Sequence, residues 1–355
     1  MTLEDLGYNS ILEQYRINNK LDSFAVGRVI LEHKDRYVVK TDSAEFDSEL
    51  LGNLRFTAES RLDLPAVGDW VAISEYDEGK ALIHAVYPRH SIIERQAIGK
   101  HGQKQIIATN IDYGLIVQSV NRDFNINRLE RYLSICHASR VDPIIILSKI
   151  DLIEEEELQK LLIQIGNRIK DIPIHAISNE TKSGLDKLAS LISKGKTYCL
   201  LGSSGVGKST LLNKLTGKEL METAPISESI DRGKHITSHR ELVVLDNGGI
   251  IIDNPGMREV GITDTSMGLE LTFDDIFELS KECKFKDCTH INEIECAILE
   301  AVENGEIESD SYDNFLKLER ERAHFELTTQ DKKKKDKELG KVIKNFKKLR
   351  KENKY

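Results

Sequence analysis

The chain has 355 residues, 39% of them hydrophobic and 31% charged, a balance that supports two or three folded domains and excludes a wholly disordered or fibrous chain. Its longest apolar runs, such as 143–147 and 249–252, fall far short of the roughly 20 residues a membrane helix needs. The acidic opening MTLEDLGYNS is expected not to be a secretory signal. The net charge of −9 hides an asymmetry, because residues 331–355 hold eleven Lys and one Arg against four acids, about +8, which leaves about −17 for the rest. Such a tail suits contact with a polyanion at one end of the molecule, or a solvated helix with no partner.

Residues 1–20 carry Leu3, Leu6, Ile11, Leu12 and Tyr15 in a loose helical pattern. From 22 to 90 the segments FAVGRVIL, RYVVKT, GDWVAISEY and ALIHAVY are short, β-branched and broken by turn residues. Strands in succession without helices between them predict a small β-barrel, with an OB-type barrel as one option. From about 105 the pattern changes to alternating strands and helices. The strand candidates are 113–120, 142–150, 171–178, 196–202, 241–247 and 249–256, with helical stretches at 127–138, 154–168 and 184–193. Near-continuous apolar runs are what buried parallel strands require, so a doubly wound sheet is expected over about 100–260. The remainder reads as helical.

Gly202-Ser203-Ser204-Gly205-Val206-Gly207-Lys208-Ser209 matches G-x-x-x-x-G-K-[ST], with the apolar strand KTYCLL before it and the helical STLLNKL, from Ser209 and Thr210, after it. Glycines allow the backbone to wrap an anion with its N–H groups, and the helix that follows presents its positive end. Lys208 is expected to reach the β- and γ-phosphates and Ser209 to hold Mg²⁺. Downstream, Asp253-Asn254-Pro255-Gly256 follows an apolar strand. There Asp253 suits Mg²⁺ through water and Gly256 can offer its N–H to a γ-phosphate. Between the two lies Gly233-Lys234-His235-Ile236-Thr237-Ser238, where Thr237 is placed to ligate Mg²⁺ while the γ-phosphate is present. Ser148-Lys149-Ile150-Asp151 closes the strand DPIIIL. Guanine offers the adjacent donors N1–H and N2–H₂; a fixed carboxylate accepts both, so Asp151 is the guanine selector, with Lys149 packed along the nucleotide. Ser178-Asn179-Glu180 sits where a loop could close over the base. The base-reading stretch precedes the phosphate loop, the reverse of the usual order. Site geometry is indifferent to where a chain begins, so the pattern reads as a circularly permuted GTPase.

Of five cysteines, Cys283, Cys288 and Cys296 fall with His290 inside 14 residues. Three thiolates and an imidazole suit one tetrahedral structural Zn²⁺ with no open position, in a reducing compartment.

Taken together, these motifs resemble the bacterial small-ribosomal-subunit-dependent GTPase A family (RsgA/YjeQ) over nearly the whole chain. The resemblance implies an N-terminal OB-like β-barrel, a circularly permuted α/β P-loop GTPase domain and a C-terminal helical zinc-binding domain. Boundaries are expected at 1–21 (extension), 22–92 (barrel), 93–265 (GTPase) and 266–355 (zinc-binding part with the basic tail). It implies GTP hydrolysis stimulated by the small ribosomal subunit, late in that subunit's maturation, by a cytoplasmic monomer that contacts rRNA, binds GTP and GDP, and has no membrane association. His235 is implied as the group that orients water, since Met257 follows D-x-P-G where many GTPases place Gln. The base-reading motif, usually N-K-x-D, is SKID here. Ser148 is too short to brace the site and contact N7 as Asn does, so guanine preference with reduced affinity is expected. The alternatives are a ribosome- or RNA-bound scaffold with little or no hydrolysis, and a zinc-stabilised P-loop ATPase or small-molecule kinase.

Overall fold

The computed structural model describes residues 1–33, 36–96, 104–121, 123–217, 240–253 and 266–324. Of the expected site residues, Thr237, His235 and Gly256 lie outside them, as do Met257 and the lysine-rich tail.

Strands β1 (Ala25–His33), β2 (Arg36–Lys40), β3 (Glu45–Leu50), β4 (Trp70–Asp77) and β5 (Lys80–Val86) pair in the order β1-β2-β3-β5-β4, and β4 returns to β1. The pairing of β3 with β5 is parallel and the others are antiparallel, and the connection from β3 to β4 carries a short helix, α2 (Gly52–Thr57), where the sequence pattern shows strands alone. This closed five-stranded ring has the OB arrangement. Alternate residues point inward, as the period of two demands. Val29, Tyr37, Val39, Phe46, Val71, Ile73, Ala81 and Ile83 fill the interior.

The expected strands beyond residue 105 all form: β8 (Tyr113–Ser119), β9 (Asp142–Ser148), β10 (Ile174–Ala176), β11 (Thr197–Leu201), β12 (Arg240–Val244) and β13 (Ile250–Asp253). A hairpin of β6 (Ile92–Gln96) and β7 (Lys104–Thr109) precedes them. The order is β10-β9-β8-β11-β13-β12, parallel except for β12. Helices cover both faces. Leu129 and Leu133 of α3 (Ile126–Ala138) and Ile165 of α4 (Glu155–Arg168) join one apolar layer with Ile116 and Ile145. Leu188 of α5 (Leu185–Leu191) and Leu211 and Leu212 of α6 (Lys208–Thr216) join the other with Leu115, Val117 and Ile146. Neighbours in one strand thus feed opposite layers, which is why each strand reads as a continuous apolar run.

The two sheets are one. Strand β12 pairs antiparallel with β1, Leu31 opposite Glu241 and Glu32 opposite Arg240, giving eleven strands in a single sheet. The N-terminal segment seals this junction. Leu6, and Leu12 of α1 (Ser10–Asn18), pack with Trp70 and Tyr87. The buried Arg28 guanidinium donates to the carbonyls of Leu6 (2.6 Å), Gly68 (3.1 Å) and Asn110 (3.1 Å). Burial lowers the Arg28 pKa to about 10, so it remains charged at neutral pH.

The C-terminal part comprises α7 (Ser266–Thr272), α8 (Asp274–Ser280), α9 (Ala297–Glu303) and a helix over 309–324, around Leu269, Phe273, Ile276, Ile298, Phe315 and Leu318. It docks on α3. Gly268 lies so close that a Cβ there would meet the Ser134 carbonyl at 2.2 Å. The buried Glu130 carboxylate accepts from Arg168 (2.8 Å) and from Asn314 (2.5 Å), and Arg131 pairs with Glu321 through two bonds of 2.7 Å. No helix among the described residues is long and apolar enough to cross a membrane.

Candidate functional site

The phosphate-loop motif stands between the central strand β11 and helix α6. Gly202 takes φ +140° against β8, where a Cβ would lie 2.2 Å from the Val117 carbonyl oxygen, so a side chain is excluded. Lys208 opens α6, and its ammonium turns back into the loop, donating to the carbonyls of Gly202 (2.7 Å) and Ser203 (2.6 Å). Tyr132 of α3 lies beside the Ser203 side chain. Ser204 and Gly205 are exposed at the tip; Val206 is buried beneath it; Ser209 and Thr210 are half-buried in the first turn of α6.

Three side chains from two other loops hold three consecutive carbonyls of this motif. Lys149 Nζ donates to Gly205 (2.6 Å), Ser148 Oγ to Val206 (2.6 Å) and Asn179 Nδ2 to Gly207 (3.2 Å). A trans peptide places its N–H opposite its C=O. Drawing these carbonyls toward the flanking loops therefore turns the N–H groups of Val206, Gly207 and Lys208 the other way, as an anion cradle requires. The sequence reading had Ser148 too short to act as Asn does, and the structure adds a detail: the hydroxyl does brace the phosphate loop, at Val206. Asn179 and Tyr132 were not among the expected site residues. The stretch 178–180 is read from the sequence as a loop near the base, but the contact of Asn179 with the phosphate loop, and the place of Tyr132 beside it, arise only between segments.

At the base-reading end, Asp151 is exposed in the single turn Ile150–Leu152 that follows β9. The buried Ser178 Oγ donates to its carboxylate. That hydroxyl also accepts from the N–H groups of Glu180 (3.2 Å) and Thr181 (3.0 Å), which leaves its hydrogen only the one direction. Parallel pairing of β9 with β10 is what brings 148–151 beside 178. Lys149 has φ +63°, turning the chain out of the strand, while Ile150 packs into the core beneath. Asp253 ends β13, buried, one position beyond Ile252, which pairs with Cys199 of β11. The phosphate loop and Asp253 thus lie at the carboxyl ends of neighbouring strands, where ligands bind in open α/β sheets.

The four zinc candidates converge. The ligand atoms of Cys283, Cys288, His290 and Cys296 all lie within 4.8 Å of one another. His290 Nδ1 is 3.6 Å from Cys283 Sγ and 3.5 Å from Cys296 Sγ, and those two sulfurs are 3.9 Å apart. A tetrahedron with Zn–S of ~2.3 Å and Zn–N of ~2.0 Å has edges of about 3.5–3.8 Å, so the cluster can hold one zinc ion and leaves no open position. Two residues that the spacing did not reveal shape it. Glu293 accepts the Thr289 hydroxyl and the N–H groups of Thr289 (2.9 Å), Ile291 (2.9 Å) and Asn292 (3.1 Å), and these bonds, the hydroxyl's foremost, hold its carboxyl well below the usual range. Tyr312 donates to the His290 carbonyl at 2.5 Å, tying the cluster to the last helix.

Comparison with known proteins agrees with this arrangement. A family model described as RsgA GTPase matches residues 86–263, and one described as 50S ribosome-binding GTPase matches 197–348. Small ribosomal subunit biogenesis GTPase RsgA 2 of Listeria monocytogenes is 42% identical over 325 residues, 91% of this chain and 90% of its own. Small ribosomal subunit biogenesis GTPase RsgA of Opitutus terrae is 37% identical, over 91% and 90% respectively. Among solved structures, YjeQ from Thermotoga maritima aligns with a TM-score of 0.60 at 25% identity, covering 83% of this chain and 96% of that one. YloQ, described as a circularly permuted GTPase, aligns with a TM-score of 0.59 at 25% identity, covering 87% and 96%. With the phosphate loop, the base-reading loop and the metal cluster in their permuted order, the chain belongs to the RsgA family of GTPases, and its reaction is the hydrolysis of GTP.

Proposed function

We propose that this GTPase works on the small ribosomal subunit in the cytoplasm, assisting its late maturation and hydrolysing GTP faster when the subunit is bound. The observation that carries the nucleotide part is the convergence of Ser148, Lys149 and Asn179 on three consecutive phosphate-loop carbonyls, with Asp151 and Ser178 alongside. It joins base-reading and phosphate-binding loops into one unit despite their reversed order. The subunit part rests on the curated relatives, whose names specify the small subunit and which match 91% of the chain; the model whose description says 50S matches residues 197–348 alone.

In this reading Asp151 accepts N1–H and N2–H₂ of guanine, held by Ser178. Loop residues 202–207 donate backbone N–H groups to the phosphates, and Lys208 exchanges its loop carbonyls for β- and γ-phosphate oxygens. Ser209, Asp253 and Thr237 would hold Mg²⁺, which would supply positive charge beside the phosphate oxygens. Gly256 contacts the γ-phosphate, and His235, as neutral imidazole, accepts from the attacking water. Cys283, Cys288, His290 and Cys296 hold the structural zinc. The C-terminal part follows 253–256, which serves as the second of the two nucleotide-sensing switch segments (the first being 233–238), and is fastened to α3, so a switch movement can be passed to the face that meets the subunit. The basic tail adds salt-sensitive contacts to rRNA phosphates.

Turnover of GTP by the purified protein, alone, with small subunits and with large subunits, and with ATP as control, tests this. A rise confined to GTP with small subunits is expected, and His235→Ala removes it. GTP binding with no rise would leave a scaffold in place of an enzyme cycle, and a rise with large subunits would transfer the partner to the other particle.

A further inference from the structure

Guanine has two donors on its Watson–Crick edge and two acceptors, O6 and N7, on its Hoogsteen edge. Asp151 can meet the donors, but a carboxylate offers nothing to N7. The donors around the site are few. Ser148 has one hydroxyl hydrogen, committed to the Val206 carbonyl at 2.6 Å. Ser178 commits its own to Asp151. Lys149 is held at the exposed tip, on Gly205.

Asn179 is different. Its side chain is buried, with the residue 8% exposed, yet its amide is half used. One Nδ2 hydrogen goes to the Gly207 carbonyl at 3.2 Å, and Oδ1 has no partner among the described residues. Flipping the amide does not repair this, because it would set Oδ1 against the Gly207 oxygen. The amide is fixed close to the loop: a Cβ on Gly207 would come 3.0 Å from Nδ2. Buried amides in native proteins normally use their bonding capacity, and one that does not needs an occupant to complete it.

We propose that Asn179 reads N7 of the bound guanine through its second Nδ2 hydrogen, while Oδ1 takes a water bridging to O6. N7 lies on the ring that carries the ribose, hence nearer the phosphate loop than O6, and Asn179 is anchored to that loop. The bracing of the loop and the reading of the Hoogsteen edge are then divided between Ser148 and Asn179, on two different segments. This inference rests on the nucleotide reading above.

The test uses the full chain and competition of GDP, 7-deaza-GDP (N7 replaced by C–H) and ADP against a fluorescent guanine nucleotide. The wild type is expected to bind GDP about 5-fold or more tighter than 7-deaza-GDP, the worth of one hydrogen bond. Asn179→Ala and the near-isosteric Asn179→Asp should bring that ratio to about 1, whereas Ser148→Ala should weaken both guanine ligands together and keep it. An equal loss of both ligands in Asn179→Ala, or a ratio abolished by Ser148→Ala, would overturn the assignment. A wild-type ratio of 1 with guanine still preferred over ADP sinks this inference alone; no preference over ADP sinks the guanine site itself.

Discussion

The zinc cluster takes its four ligands from fourteen consecutive positions, 283–296, whereas the nucleotide site gathers side chains from 148–151, 178–179, 202–209 and 253. The first is closed by local turns. His290 and Glu295 adopt positive φ, and the Glu293 carboxylate collects the N–H groups of the intervening loop. The second exists only where β8, β9, β10, β11 and β13 end on one edge of a sheet. A local site can therefore be lost by removing one ion while the rest of the fold stands. A distributed site is as stable as the sheet that assembles it.

Removal of zinc is expected to have the largest effect and to be confined in space. Structural zinc contributes on the order of 10 kcal/mol to small domains built around it. Chelation, or Cys283→Ser, should raise hydrogen exchange through 283–296 to near the unfolded rate, while GDP affinity changes by less than about threefold. Matching losses in both places would mean that the two sites fold as one unit. Lys208→Ala should come next, lowering GTP turnover about 10²–10³-fold, as removal of one well-placed charge-stabilising donor does. Its thermal midpoint should stay close to the wild type's, since the ammonium's hydrogen bonds to the Gly202 and Ser203 carbonyls are made within the loop itself. Ser148→Ala should be smaller. It leaves the Val206 carbonyl without its brace, a cost of about 1 kcal/mol in nucleotide affinity, read by competition binding. A loss as large as that from Lys208→Ala would make Ser148 a direct ligand and not a brace.

The smallest expected effect concerns the seam between the two regions. His137 of α3 faces Thr272 of α7 with Nδ1 at 3.1 Å from Oγ1, and burial holds its pKa below the ordinary imidazole value. Asp142 and Asp274 act in the opposite direction and are the weaker influences. A histidine neutral in the folded state gives stability that is complete above its unfolded pKa, near 6.5, and that is lost as pH falls through the folded value. Urea unfolding should thus show a modest decline below pH 6.5 that His137→Gln flattens. An unchanged slope in that variant would place the titration elsewhere.

Much of the site was legible before the fold was known. The glycine-rich loop, the Asp at the end of DPIIIL and the Cys-His spacing each encode their chemistry in a few adjacent residues, and so do the six apolar strands. Less legible was everything made between segments. Ser148 looked like a weakened Asn; the fold shows its hydroxyl on Val206, with an amide supplied at 179 from another loop. Residues 1–20 show in sequence only a loose helical pattern, yet the Leu6 carbonyl receives the buried Arg28. The expected boundary between barrel and GTPase gave no hint that β1 and β12 are hydrogen-bonded neighbours.

The sequence by itself determined the inventory: a barrel, an α/β nucleotide domain, a metal cluster, and which residue types carry each function. It could do so because periodicity and short motifs are properties of contiguous chain. Tertiary structure alone decided the partnerships. Strand order, register and the docking of the C-terminal helices on α3 depend on which apolar faces cover one another. That choice is made by the whole core at once, and no short window of residues records it.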